Sequence, residues 1–83
     1  MDISPVAIAG LDADSKEHLN RLQAVRINVQ VHKLGEKHYS CRAYFDDGRD
    51  PQVTYGETPD QSVQRTSKNV QTLWSDLFPQ QAN

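Results

Sequence analysis

The chain has 83 residues, 36% of them hydrophobic and 24% charged, with nine Lys and Arg against eleven Asp and Glu. The resulting formal charge of −2 lacks the basic excess on which non-specific nucleic-acid binding depends, and is too small for a mimic of DNA. A lone cysteine, Cys41, allows no internal disulfide and suits a reducing cytoplasm, while the longest apolar stretch, Val6 to Leu11, is far too short to cross a bilayer.

At this size the expectation is one cytoplasmic domain over residues 1–83 with a small core. Residues 1–11 carry Ile3, Val6 and Ile8 around Pro5, and read either as a short edge strand or as an extended arm over the core. Asp14 with Glu17 three residues on fits a capping box, which predicts a helix from Ser15 to Gln23 or Ala24 with Leu19 and Leu22 inward and His18 beside them.

From Val25 to Phe45 the chain alternates with period two, the pattern of a sheet with one dry and one wet face. Val25, Ile27, Val29 and Val31 point inward, then Tyr39, Cys41, Ala43 and Phe45 after a turn at Leu34-Gly35-Glu36. Since odd-numbered residues are apolar on both strands, cross-strand partners sum to an even number, which calls for an odd-length loop. A loop centred on Gly35 sets His32 opposite His38, Asn28 opposite Arg42 and Arg26 opposite Tyr44; a shift by two residues makes the histidines diagonal neighbours.

The cluster Asp46-Asp47-Gly48-Arg49-Asp50-Pro51 reads as a turn, and Gln52-Val53-Thr54-Tyr55 as a third strand. Thr58, Pro59, Asp60 and Gln61 together make a strong helix start. Val63, Thr66 or Ser67, Val70, Leu73, Trp74 and Leu77 then recur at helical spacing over about five turns, up to Pro79. The tail 79–83 is polar, and mobility is expected for it. The sum is α+β: a two-layer sandwich of order α-β-β-β-α over residues 12–78, a three-stranded antiparallel sheet with two helices on one face and the other face bare.

That bare face is expected to display Arg26, Asn28, Gln30, His32, His38, Ser40, Arg42, Tyr44 and, on the third strand, Gln52 and Thr54. It is either a solvated sheet surface or, since Arg, Tyr, His and Asn are planar groups frequent at interfaces, a contact surface. On the second reading Arg26, Asn28, His32, His38, Arg42 and Tyr44 carry binding to a protein partner. Arg65 and Lys68 on the last helix are the candidates for the alternative, nucleic-acid binding. An exposed sheet edge also admits homodimerisation.

His32 and His38 supply at most half of a zinc site, and Cys41 has the wrong parity to join them, so no metal is expected. The three aspartates of the Asp46–Asp50 cluster lack the spacing of a calcium loop. Cys41 reads as a core residue rather than a nucleophile. With no phosphate-binding glycine loop and no triad, neither catalytic residues nor a cofactor is expected.

The helix-strand-strand-strand-helix order from about Asp14 to Phe78 resembles the double-stranded-RNA-binding domain. That family places lysines at the start of its second helix, where this chain has Pro59, Asp60 and Gln61. The segment Tyr55-Gly56-Glu57-Thr58-Pro59-Asp60-Gln61-Ser62-Val63 resembles the turn into a helix of HicB-type antitoxins, which implies a protein that binds and blocks another protein. By type alone, a small, slightly acidic domain without catalytic residues is also similar to phage-encoded inhibitors of bacterial defence such as anti-CRISPR proteins.

Overall fold

A computed structural model describes residues 4–6 and 10–78. It places β1 at Ser4–Pro5, α1 at Ala13–Ala24, β2 at Ile27–Gly35, β3 at His38–Phe45, β4 at Gln52–Gly56 and α2 at Pro59–Leu73, followed by a short 3-10 turn at Ser75–Leu77. The α-β-β-β-α order stands, with both helices against one face of an antiparallel meander. The two-residue β1 adds a fourth strand beside β2, so the sheet order is β1-β2-β3-β4. The expected tail 79–83 lies outside the described residues.

The first helix starts earlier than the capping box suggested. Asp12, not Asp14, is the N-cap: its carboxylate accepts from the Ser15 amide at 2.8 Å, and this bond holds the Asp12 carboxyl below its ordinary value. Asp14 lies within the first turn, where its charge still favours the positive end of the helix. At the other end, the amides of Val25 and Arg26 bond the carbonyls of Leu22 and Gln23, and Arg26 takes a positive φ of 64°. The regular alternation therefore begins at Ile27. Val25 caps the helix and packs against the core from there.

In the β2–β3 hairpin the register is the alternative shifted by two residues: Asn28 opposes Tyr44, Gln30 opposes Arg42 and His32 opposes Ser40. The loop centred on Gly35 is corrected. Glu36 and Lys37 form the turn, with Lys37 at φ 51°, and an irregularity between Lys33 and Gly35 supplies the odd residue that the apolar parity demanded.

The third strand is reversed relative to expectation. Thr54 pairs with Cys41 and faces the helices, while Val53 and Tyr55 fall beside Arg42 and Ser40 on the open side. A threonine is tolerated in the core because α2 answers it. Thr54 Oγ1 donates to the Ser62 carbonyl at 2.8 Å and meets Thr66 Oγ1, which in turn reaches the Cys41 carbonyl at 3.2 Å. Two hydroxyl protons serve these three contacts, so one of the contacts is shared, and no polar atom of the set is left without a partner.

The start of α2 matches the sequence reading. Thr58 accepts from the Gln61 amide at 3.0 Å with Pro59 in the first turn, and Gln61 reaches back to the Glu57 amide at 2.7 Å. The entry is tight enough that a Cβ on Gly56 would stand 2.8 Å from the Ser62 nitrogen. Val63, Thr66, Ser67 and Val70 form the buried stripe, its small members letting the helix approach the sheet. The helix stops at Leu73 rather than running to Pro79. Leu73 is 58% exposed, a correction to its inward assignment, because Trp74 leaves helical geometry and turns against Phe45.

One apolar cluster joins Leu11, Leu19 and Leu22 to Ile27, Val29, Val31, Cys41, Ala43, Val63 and Val70. Between the helices the contacts are polar instead. His18 Nδ1 meets Ser67 Oγ at 2.8 Å, Gln71 donates to the same oxygen, Gln64 donates to Ser15, and the Asp12 amide donates to Asp60 at 2.9 Å. His18 Nε2 faces Asp14 at 3.9 Å, so the tautomer carrying its proton on Nε2 lets Ser67 donate to Nδ1.

Candidate functional site

The face of the sheet turned away from the helices carries Asn28, Gln30 and His32 from β2, His38, Ser40, Arg42 and Tyr44 from β3, and Val53 and Tyr55 from β4. The pairings arrange them in cross-strand rows: Asn28 with Tyr44, Gln30 with Arg42 and Val53, and His32 with Ser40 and Tyr55. Ser40 is buried in the middle of its row. Tyr55 leans along the strands to His38, with ring centroids 5.7 Å apart, and remains 51% exposed.

Of the six residues proposed from sequence, Asn28, His32, His38, Arg42 and Tyr44 share this face. Arg26 does not belong to the strand: it occupies the turn that leaves α1, where its backbone, in the left-handed region, is set by the helix end rather than by the sheet ladder. His32 stands opposite Ser40, which removes the direct cross-strand histidine pair. Gln52 and Thr54 leave the face, and Val53 and Tyr55 replace them. The signal for this exchange lay in α2: a buried stripe with Thr66 and Ser67 at its centre needs a polar side chain opposite, and Thr54 is that side chain.

None of the nine positions on the face is Asp or Glu, although acidic residues outnumber basic ones in the chain. The acids sit around it: Glu36 in the hairpin turn, Asp46, Asp47 and Asp50 in the β3–β4 loop, and Glu57 at the entry to α2. Of the loop acids, Asp47 holds Arg49 at 2.7 Å, and that guanidinium lies 4.6 Å from the centre of the Trp74 ring. The Asp46–Asp50 cluster is thus a turn tied to the end of α2.

A shallow cleft of about 220 Å³ opens where the His38 end of the face meets α2, lined by Lys37, His38, Tyr55, Gly56, Glu57, Gln61 and Arg65. Arg65 donates from Nη1 to the Tyr55 carbonyl at 2.7 Å, which fixes the guanidinium beside β4. Lys68 is exposed one helical turn further along α2.

Among the described residues, no group of three His, Cys, Asp or Glu side chains is placed to hold a metal ion, and no helix is long and apolar enough to cross a membrane. Cys41 is fully buried, and burial pushes its thiol up to about 11 against a weaker opposing hydrogen bond from Thr66.

No family model matches the chain, and neither a curated protein nor a solved structure matches it.

Proposed function

We propose that the protein is a non-catalytic binding module that captures a protein partner in the cytoplasm through its open sheet face, acting as an inhibitor or regulator in the manner of HicB-type antitoxins or anti-CRISPR proteins. The observation that carries this reading is the composition of a face that both helices leave uncovered. Tyr44, Tyr55 and Arg42, residue types enriched at interface hot spots, stand there with two histidines, and Val53 and Tyr55 are exposed at 39% and 51%. Val53 and Tyr55 stand two residues apart on β4 and so lie side by side on that face as one small apolar patch.

The test is capture of a partner from host extract by the wild type and by the Arg42→Glu, Tyr44→Ala double variant. Loss of capture with an unchanged thermal melt is expected; intact capture removes the open face from consideration. Nucleic-acid binding through the same face or through Arg65 and Lys68 is the alternative. It requires affinity to fall steeply between low and moderate salt, because each neutralised phosphate releases counterions.

A further inference from the structure

Resting on that reading, we infer that the partner presents an acidic segment, one of whose side-chain carboxylates is anchored in the cleft between β4 and the start of α2. The cleft brings together Lys37, His38 and Arg65 around the Tyr55 ring, with Glu57 as its one acid. Among the described residues, neither Lys37 nor Arg65 has a carboxylate partner; the ion pairs there engage His18, Arg21 and Arg49. Arg65 is already oriented by its bond to the Tyr55 carbonyl, so a planar anion meets one guanidinium ordered before binding.

Three amides at the entry to α2, those of Glu57, Gln61 and Ser62, are already taken. Gln61 Oε1 takes the Glu57 amide, Thr58 takes the Gln61 amide, and the Thr58 carbonyl takes the Ser62 amide. The anion would be held by side-chain cations and the histidine.

The acid-free face continues from the cleft through His38 and Tyr55 to Arg42. An acidic segment laid along it meets positive or neutral groups on the face, with Glu57 as the one acid at the cleft end, and complementarity of this kind steers encounter and fixes register. A nucleic acid is the poorer fit. Its unbroken row of phosphates needs a run of cations to neutralise it, and the nine positions of the face include one arginine and no lysine.

Amide chemical shifts of the full chain would be followed during titration with hexa-glutamate blocked at both ends, and separately with blocked hexa-lysine, inorganic phosphate and hexauridylate. Hexa-glutamate is expected to move the amides of Lys37, His38, Tyr55, Gly56 and Arg65, with hexa-lysine inert. The Lys37→Asn, Arg65→Gln variant should weaken that binding about tenfold, a loss of about 1.4 kcal/mol. Asn suits the positive φ at position 37, and Lys37→Asn alone serves as the milder variant if the pair disturbs the fold. An unmoved cleft, an equal response to hexa-lysine or to phosphate, or tighter binding of hexauridylate overturns the inference. Partner capture that survives Lys37→Asn, Arg65→Gln but not Arg42→Glu, Tyr44→Ala removes the cleft and leaves the open-face reading standing. Hexa-glutamate binding at the cleft combined with capture indifferent to Arg42 and Tyr44 does the reverse.

Discussion

Cys41 and Arg42 are neighbours in the chain, yet they stand on opposite faces of the sheet under different constraints. Cys41 is fully buried in the apolar cluster beneath α2, with its carbonyl accepting from the Thr66 hydroxyl. Arg42 lies between Gln30 and Val53 on the face turned away from both helices. On the first face a residue is constrained by volume and by hydrogen-bond accounting; on the second it is constrained by neither, so what stands there is open to selection for contact. The contrast separates a face fixed by packing from one left to solvent or to a partner.

The contrast can be sharpened by perturbing each face in turn. Leu22→Ala, at a fully buried position under the sheet, should cost about 2–5 kcal/mol in chemical denaturation, through lost transfer energy and the cavity left behind.

Raising the pH probes the same side. The unfolded thiol ionises near 9 and the folded one near 11, so the unfolded chain gives up its proton first. The stabilisation is whole below pH 9 and disappears as pH climbs to 11, a loss of roughly 2–3 kcal/mol visible as a falling melting temperature. Cys41→Ala should flatten that slope. Thr66→Val removes one of the two hydroxyl protons shared among Thr54, Ser62 and Cys41 and should cost about 1–3 kcal/mol. On the open face, Tyr55→Ala should stay within about 0.5 kcal/mol of wild type while weakening partner capture. A Tyr55 variant that unfolds the protein would break the contrast.

Much of the fold was legible because the signals were local and redundant. The period-two run read from Val25 to Phe45 gives two strands, though it begins at Ile27 and its turn falls at Glu36-Lys37, and the Thr58-Pro59-Asp60-Gln61 start appears as expected. What escaped depended on relations between elements. Asp12 caps α1 while its own amide is held by Asp60 across the helix pair, a contact no local window reveals. Two registers of the hairpin satisfied the same apolar parity, and the choice between them rests on an irregularity beside Gly35. The inversion of β4 placed two exposed large hydrophobic side chains on the candidate surface, and it follows from the six-residue turn before the strand and from the hydroxyls waiting on α2. Arg26 was misplaced because periodicity was extended one step too far, into the turn that ends a helix.

Trp74 is the chain's one tryptophan, and it rests on the helix-bearing side, edge-on to Phe45 at 6.2 Å between centroids and beneath Arg49. Light absorbed there reports the integrity of the packed layer, while the chromophores on the opposite surface are Tyr44 and Tyr55. The molecule thus carries two optical channels, one in the packed layer and one on the open face. A ligand titration silent in indole emission but visible in phenol absorbance would register docking without any loosening of the interior.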